Sequence, residues 1–354
     1  MDNSAPLALV TGGAGFIGSH LCELLLARGR RVVALDDLST GHAANLRAVE
    51  RDANFRLVVG DCRDGNLLER FLPECAEVYH LAAAVGVRRI VDAPVETIER
   101  NVGASEIVLR LSARWRCRLL LASTSEVYGA GAQDVFREDD DLIIGEPTRR
   151  RWSYAATKLL DEFLALAHHH ASGLPVTIAR LFNTIGPRQV DRYGMVVPTF
   201  VRQALSGRPL TVFGDGAQRR CFTHVRDAAT CLVDLVERPE AEGGIYNVGA
   251  DAEITILELA KRVIALCGGP SIIVFQSYLD AYGEDFTDME RRRPSQERLR
   301  AAIGHAPDTP LDAALADTIA AMRAETARED SGAQCPGASE DNRSGSGAKT
   351  VRRP

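Results

Sequence analysis

A doubly wound, parallel α/β sheet with a smaller C-terminal substrate-binding domain is the fold that this sequence predicts. Short apolar runs alternate with amphipathic stretches through the first half of the chain, and a glycine-rich segment joins the first run to the first amphipathic stretch. Continuous apolar runs are typical of strands that are covered on both faces. Alternation of strand and helix implies parallel strands joined by right-handed crossovers.

The individual elements follow from this alternation. The predicted strands span residues 7–11, 31–35, 55–59, 77–81, 118–123 and 176–181. The helices between them span residues 16–28, 67–72, 95–114 and 152–171. Prolines and glycines interrupt the pattern after residue 181. Later elements are a helix over 225–237, a strand over 245–248, and helices over 256–267 and 311–322.

The segment from Thr11 to Gly18 has the spacing expected of a dinucleotide-binding loop. Gly12, Gly15 and Gly18 form G-x-x-G-x-x-G, immediately after a predicted strand and at the start of a helix. The first glycine permits the tight turn, the second the approach of a pyrophosphate, and the third close packing of helix on strand. The backbone N–H groups of Phe16 and Ile17 open that helix and suit an anion. The fold is therefore predicted to be of the Rossmann type.

Polar residues after the next strands complete this cofactor site. Asp36 and Asp37 lie about 20 residues downstream of the loop, where an acid binds the adenosine ribose and favours NAD over NADP. Further cofactor contacts are predicted at Ser39, Thr40, Asp61, Cys62, Leu81, Ala82, Ala83 and Asn101.

Three segments are predicted along the chain. Residues 1–181, with a return segment at about 222–250, form the NAD-binding domain. Residues 182–221 and 251–325 form the smaller, substrate-binding domain. Residues 326–354 are rich in Ser, Gly and charged residues, bury too little surface to fold, and are expected to be disordered.

Composition restricts the possible partners and compartment. Lys and Arg number 42 against 48 Asp and Glu, a net charge of -6 that argues against nucleic acid as the main partner. No apolar run approaches the roughly 20 residues of a membrane helix, and we expect no signal peptide. The eight cysteines form no C-x-x-C pair, which favours reduced thiols and the cytoplasm. The histidines His168, His169 and His170 diverge around a helix, so no metal site is predicted.

A catalytic constellation is predicted where Thr124 ends a strand and Tyr154 precedes Lys158 by four residues. This spacing puts Tyr154 and Lys158 on one helix face. A neighbouring ammonium should lower the pKa of the phenol, so that the tyrosine accepts a proton from a hydroxyl while hydride leaves the same carbon. Thr124 would hydrogen-bond that hydroxyl.

These motifs resemble the extended short-chain dehydrogenase/reductase superfamily, in its nucleotide-sugar branch of epimerases, dehydratases and decarboxylases. The resemblance covers roughly residues 7–322. It implies NAD, a UDP-sugar substrate, and a homodimer formed by the helices over 95–114 and 152–171. It also implies that Asn183, Arg188 and Arg220 hold the nucleotide diphosphate, with Ser125 and Val197 among the substrate contacts.

Two segments resemble the UDP-glucuronate decarboxylases within this branch. Thr124-Ser125-Glu126 is similar to their catalytic motif, and Arg292 matches the arginine that faces the sugar. This implies oxidation at C4 and loss of CO₂ from a β-keto acid, giving a UDP-4-keto-pentose, UDP-xylose or both. Glu126 and Arg292 would handle a proton at C5 and orient the carboxylate, with their individual roles left open.

Two other functions are weighed against this one. A UDP-hexose or UDP-hexuronate 4-epimerase is the main alternative, because Ala83 to Val87 lacks the Pro- and Tyr-containing stretch common in UDP-xylose synthases. Arg88 and Arg89 there would bind a carboxylate or be solvated. An inactive NAD-binding regulator is disfavoured by the intact Thr124, Glu126, Tyr154 and Lys158.

Overall fold

The protein is described by a computed structural model over residues 5–84, 93–131, 133–191, 195–278 and 289–330. Its strands are β1 (Leu7–Thr11), β2 (Arg31–Asp36), β3 (Phe55–Val59), β4 (Cys75–His80), β5 (Arg118–Thr124), β6 (Val176–Leu181), β7 (Thr184–Ile185), β8 (Leu210–Phe213), β9 (Arg219–Cys221), β10 (Thr223–His224), β11 (Ile245–Val248), β12 (Glu253–Thr255), β13 (Ile273–Gln276) and β14 (Arg291–Arg292). Its α-helices are α1 (Phe16–Ala27), α2 (Gly65–Glu69), α3 (Pro94–Trp115), α4 (Trp152–Ser172), α5 (Val196–Leu205), α6 (Val225–Val236), α7 (Ile256–Cys267), α8 (Glu297–Ile303) and α9 (Leu311–Asp330).

The large sheet has the strand order β11-β6-β5-β4-β1-β2-β3, with all neighbours parallel. The order reverses between β1 and β4, where Leu9 lies between Val33 of β2 and Val78 of β4. Ligands of open α/β sheets bind in the crevice outside the carboxyl ends of the strands at such a reversal. The Rossmann-type sheet predicted from the alternating pattern is confirmed.

Helices cover both faces of this sheet because its strands are apolar on both sides. Leu21 and Leu25 of α1 and Leu232 of α6 pack in the core on one face. Val108 of α3 and Ala165 of α4 pack in the core on the other face. Burying both faces accounts for the continuous apolar runs in the sequence.

The remaining strands form small sheets beside the carboxyl edge of the large one. β9 pairs antiparallel with β12 and parallel with β14, β8 pairs with β13, and β7 pairs with β10. A separate apolar core, which includes Phe200, Val212, Leu259 and Leu315, supports this part. The predicted division of the chain into two domains, with its boundaries, stays a prediction.

The C-terminal helix is longer than expected from the sequence. α9 continues to Asp330, whereas the prediction ended the helix at residue 322 and began disorder at 326. Strong helix formers, Ala, Glu and Arg, fill this last stretch and extend the helix with little burial. The rest of the predicted tail, from residue 331, lies outside the described residues. No helix in the described ranges is long and apolar enough to cross a membrane.

Candidate active site

The glycine loop brings the backbone of β1 and α1 very close to the end of β4. Gly12 has φ +71°, and a Cβ at this position would lie 2.9 Å from the Ala82 nitrogen. A Cβ on Gly18 would collide with the carbonyl oxygen of Gly12. The loop thus needs glycine for its own geometry, and it leaves the N-terminus of α1 open for a diphosphate.

A cavity of about 1160 Å³ runs from this loop to the small sheets. That volume exceeds the upper range for one drug-sized ligand and suits a cofactor together with a substrate. Most predicted site residues line it: Gly12, Gly15, Phe16, Ile17, Gly18, Asp36, Asp37, Ser39, Thr40, Asp61, Cys62, Leu81, Ala82, Ala83, Asn101, Thr124, Ser125, Glu126, Tyr154, Asn183, Val197, Arg220 and Arg292. Lys158 and Arg188 do not line it.

The two acids after β2 have different surroundings. Asp36 is buried, and its carboxylate accepts hydrogen bonds from the backbone nitrogens of Ala14 at 2.9 Å and Leu38 at 2.8 Å, so it braces the glycine loop. Burial raises the pKa of Asp36. Asp37 is more exposed and forms an ion pair with Arg100 of α3, with Nη1 and Oδ2 3.4 Å apart.

The residues after β3 and β4 form the rest of the cavity end that lies next to the glycine loop. Arg63 donates to Asp61, with Nη2 and Oδ2 2.6 Å apart, and lowers the pKa of that carboxyl. Burial raises the pKa of Cys62 to about 12, so its thiol is neutral. Asn101 accepts a hydrogen bond from the Ala84 nitrogen at 2.7 Å and donates one to the Ala84 oxygen at 3.3 Å. Asn101 therefore fixes the backbone that follows β4.

Tyr154 lies at the start of α4, opposite the end of β5. Its hydroxyl hydrogen-bonds to Thr124, which lowers the pKa of the phenol, while burial, Glu126 and Asp161 raise it. Burial is the largest of these effects. The pKa of Tyr154 is thus raised overall, and not lowered as the sequence predicts, because burial and two nearby carboxylates dominate.

Lys158 is held inside α4 by an acid on the same helix. Its Nζ lies 2.9 Å from Oδ2 of Asp161, and both residues are almost fully buried. His80 of β4 is buried nearby, and its Nδ1 is hydrogen-bonded to the Thr11 hydroxyl oxygen over 2.7 Å. Burial, and then the charge of Lys158, lower the pKa of His80 to about 3, which keeps its ring neutral.

Glu126 is the centre of a charged cluster close to Tyr154. Arg292 donates from Nη1 to Oε1 of Glu126 over 2.6 Å. Arg151, the residue before α4, lies with Nη2 3.5 Å from Oε2 of the same carboxylate. All three side chains are largely buried and line the cavity. The cluster provides a carboxylate and two guanidinium groups to a ligand at this end.

Strand pairing explains how Arg292 reaches Glu126. β14 runs parallel to β9, so Arg292 is the register partner of Arg220. The following segment is held by Phe136, which donates from its nitrogen to Arg293 and accepts from the nitrogen of Ser295, both over 2.8 Å. These backbone bonds hold the 291–295 segment against the cavity.

The predicted diphosphate ligands are placed differently. Arg220 lines the cavity and donates to the carbonyl oxygens of Arg219 and Met289, each over 2.7 Å. Asn183 also lines it and donates to the Cys221 oxygen over 3.0 Å. Arg188 instead forms an ion pair with Glu23 of α1 and lies away from the cavity surface. The structure therefore brings Arg220 and Asn183, and not Arg188, to the cavity.

Arg151 and Asp161 were not among the predicted site residues. Arg151 precedes Tyr154 by three residues and Asp161 follows Lys158 by three, so each shares a helix face with a predicted catalytic residue. This three-residue spacing is the feature of the sequence that could have identified the two residues. Their burial against Glu126 and Lys158 depends on tertiary packing, which the spacing does not reveal.

The fold and the site together define a Rossmann-type enzyme with a tyrosine at the cofactor crevice. The family model for the NAD dependent epimerase/dehydratase family matches residues 8–249, and the chain belongs to this family. A UDP-N-acetyl-alpha-D-glucosaminuronate decarboxylase from Bacillus cytotoxicus is 37% identical over 312 residues, covering 88% of this chain and 96% of the relative. UDP-glucuronic acid decarboxylase 1 from Arabidopsis thaliana is 35% identical over 92% of this chain and 71% of its own.

Solved structures agree with this assignment. Epimerase Mth375 from Methanothermobacter thermautotrophicus superposes with a TM-score of 0.83 and 30% identity, over 92% of this chain and 94% of that one. A mutant form of the UDP-glucuronic acid 4-epimerase of Bacillus cereus, in complex with NAD and a fluorinated UDP-glucuronic acid analogue, superposes with a TM-score of 0.81 and 26% identity, over 90% and 99%.

Proposed function

We propose that this protein is an NAD-dependent UDP-glucuronate decarboxylase. The observation that carries the proposal is the contact between Arg292 and Glu126 at the Tyr154 end of the cavity. An oxidoreductase that acts only on C4 of a neutral sugar has no need for a buried carboxylate joined to guanidinium groups beside its tyrosine. An enzyme whose substrate carries a carboxylate does need such guanidinium groups, because guanidinium forks bind carboxylates in two-point contacts.

The residues at the cofactor end fit NAD. Gly12, Gly15 and the N-terminus of α1 would hold the pyrophosphate, and Asp37 would bind the adenosine ribose. When bound, the nicotinamide of NAD⁺ supplies the oxidant for C4 of the sugar. The acid at position 37 would repel a 2′-phosphate, which favours NAD over NADP.

Tyr154 would remove the proton of the C4 hydroxyl, and Thr124 would orient that hydroxyl through its own hydrogen bond. The neutral His80 at the end of β4 adds no charge to this proton transfer. A ketone at C4 lies β to the C6 carboxylate, so CO₂ can leave while its electrons move into the carbonyl as an enolate. Tyr154 and Thr124 would stabilise the charge that develops on the C4 oxygen.

Arg292 and Arg151 would orient the carboxylate before CO₂ leaves, and Glu126 between them would handle the proton at C5. Reduction of the C4 ketone would then give UDP-xylose, whereas its release would give a UDP-4-keto-pentose. Arg220 and Asn183 would bind the diphosphate of the substrate.

UDP-N-acetylglucosaminuronate is the second candidate substrate. The relative that is 37% identical is named for decarboxylation of this compound, which also carries a C6 carboxylate. Both candidates use the same cluster of Glu126, Arg151 and Arg292 and differ only in the substituent at C2.

The test is release of CO₂ from carboxyl-labelled UDP-glucuronate and UDP-N-acetylglucosaminuronate by the purified protein with NAD⁺. The proposal predicts labelled CO₂ from at least one of the two. Isomerisation of either nucleotide sugar without loss of the label would support a 4-epimerase instead.

We further infer that the enzyme is a homodimer in which α3 and α4 pack against the same helices of a second copy. Val95 and Ile98 on α3, and Leu160 and Phe163 on α4, are apolar, spaced three apart and exposed, Val95 by 66% and Phe163 by 65%. Such a face is unfavourable in contact with water. Light scattering should give a dimer for the native protein and a monomer for Phe163→Glu.

A cytoplasmic location is also proposed. Seven cysteines are free and six of these are buried, whereas Cys335 lies outside the described residues. Unpaired thiols are typical of proteins in a reducing compartment.

A further inference from the structure

The charged partners Glu126 and Arg292 belong to two separate segments of the chain. Glu126 lies in a one-turn 3₁₀ helix that follows β5 and ends at Tyr128. Arg292 lies in the 291–295 segment, which Phe136 holds through two backbone hydrogen bonds over 2.8 Å. The side chains of Glu126 and Arg292 are only 18% and 11% exposed, so a shift of either segment would weaken a pairing of buried charges.

Asn247 of β11 is hydrogen-bonded to both segments. Its Nδ2 donates to the carbonyl oxygen of Phe136 over 3.0 Å, and this is the same oxygen that accepts from the nitrogen of Ser295. Its Oδ1 accepts a hydrogen bond from the hydroxyl of Tyr128 over 2.7 Å. The fully buried amide of Asn247 therefore joins the 3₁₀ helix that carries Glu126 to the residue that holds the 291–295 segment.

Asn247 is itself anchored in the large sheet. β11 pairs with β6, and Asn247 is the register partner of Arg180. The backbone nitrogen of Asn247 donates to Oε1 of Glu138 over 2.8 Å. The Arg180 guanidinium lies 4.8 Å from the ring centre of Tyr128 and is paired with Glu162 of α4. The large sheet thus supplies a fixed reference for the two segments that the amide joins.

The rings of Tyr128 and Phe136 connect the same two segments. They are stacked, with centres 4.5 Å apart and planes inclined by 9°. Burial raises the pKa of Tyr128 to about 12, so its hydroxyl stays protonated and can donate to Asn247. Stacking fixes the spacing of the rings but lets them slide, whereas the two hydrogen bonds of the amide are directional and oppose such a slide.

We propose that Asn247 is a positioning residue that sets the relative position of Glu126 and Arg292 through its hydrogen bonds to Tyr128 and Phe136. The side chain of Asn247 acts through these two neighbours, so its role is in geometry and not in proton transfer. The importance of this role for a sugar carboxylate rests on the proposed function, whereas the effect on the pairing of Glu126 with Arg292 does not.

The experiment is a double-mutant cycle on the purified protein without substrate. The free energy of unfolding is measured by chemical denaturation for Glu126→Gln, Arg292→Met and the variant with both changes, and the cycle gives the coupling energy of the pair. The cycle is then repeated in the Asn247→Ala background. We expect a favourable coupling in the native background and loss of at least half of it in Asn247→Ala.

Tyr128→Phe is the second variant and decides the test if Asn247→Ala does not fold. It keeps the stacked ring and removes one of the two hydrogen bonds, so it should lose a measurable part of the coupling. Tyr79→Phe is the matched control, because Tyr79 is also fully buried and its hydroxyl donates to Glu77 over 3.2 Å, away from the cavity. It should lower the free energy of unfolding and keep the full coupling energy.

Three results would overturn the proposal: no coupling between Glu126 and Arg292 in the native background, full coupling in Asn247→Ala and Tyr128→Phe, or an equal loss in Tyr79→Phe. In a separate assay, Asn247→Ala should lower kcat/KM for the carboxylate substrate several-fold and change the Kd of UDP-glucose little. Because the cycle uses no substrate, absence of decarboxylation in the native protein would overturn the proposed function and leave the coupling result standing.

Discussion

The Nη1 atom of Arg292 lies 2.6 Å from Oε1 of Glu126, although 166 positions separate the two residues in the chain. The contact joins the end of β5 in the large sheet to β14 in the small one, so it forms only when both parts of the molecule are folded together. The proposed site for a sugar carboxylate therefore lies at the junction of the two substructures.

Replacing Tyr154 by Phe should abolish oxidation of the nucleotide sugar, because the hydroxyl that takes the C4 proton is lost. A decrease of about 10²-fold to 10⁴-fold in kcat is expected. Binding of NAD and of the sugar should persist, which calorimetry can check. Activity within a few-fold of native would remove Tyr154 as the base.

Replacing Arg292 by Met should weaken use of a uronate by roughly tenfold to a hundredfold in kcat/KM, because a charge-assisted hydrogen bond is lost. Binding of UDP-glucose, which has no carboxylate, should change little. Arg291→Met is the control: Arg291 is the neighbour on β14 but pairs with Glu253 outside the cavity. An equal effect of both variants on uronate use would contradict the role of Arg292.

Replacing Glu126 by Gln should leave oxidation at C4 measurable and slow the release of CO₂. The amide keeps the shape of the side chain but cannot transfer a proton. The decarboxylation step should therefore slow more than the oxidation at C4. Rapid-mixing absorbance of NADH, followed beside CO₂ evolution, separates the two steps. Unchanged CO₂ yield in this variant counts against a catalytic role for Glu126.

Replacing Asp37 by Ser should shift cofactor preference toward NADP. The change removes a negative charge near the expected ribose site and releases Arg100, its partner at 3.4 Å, to face a 2′-phosphate. The ratio of kcat/KM for NADP over NAD should rise by about tenfold or more. Asp52 is an exposed acid elsewhere on the surface, and Asp52→Ser is the control that should leave the ratio unchanged. An unchanged ratio in Asp37→Ser as well would show that residue 37 does not face the ribose.

Replacing Glu162 by Gln should destabilise the protein by about 3–5 kcal/mol, because it leaves the buried Arg180 guanidinium without its anion. The two side chains are 2.8 Å apart and each is only 3% exposed. Glu106→Gln breaks the exposed pair with Arg110 on α3 and should cost about 0.5 kcal/mol or less. Equal losses in chemical denaturation would contradict this difference.

The large sheet could be predicted from local pattern alone. β1, β3 and β6 begin and end where expected, since each is a mainly apolar run between turn residues. α2 begins two residues and ends three residues earlier than the pattern predicts. Asp64 caps its N-terminus, where its side chain accepts from the nitrogens of Asn66 and Leu67.

The site was only partly predictable. The glycine loop and Asp36 are joined by a single β-α-β crossover, so their spacing in the sequence is enough to predict that they lie close together. The contact of Arg292 with Glu126 depends on the pairing of β14 with β9 and was suggested only by family resemblance. The pairing of Lys158 with Asp161 was not predicted, because the Y-x-x-x-K motif does not reveal which neighbouring side chains become buried with its lysine.

Mass spectrometry of the nucleotide products formed from UDP-glucuronate with NAD⁺ tests the central claim most directly. We expect a UDP-pentose that is lighter than the substrate by one CO₂, or a UDP-4-keto-pentose that is lighter by one CO₂ and two hydrogens. Neither product should form with the Tyr154→Phe variant. An isomer of unchanged mass, or recovery of UDP-glucuronate and UDP-N-acetylglucosaminuronate untouched in parallel reactions, would contradict this claim.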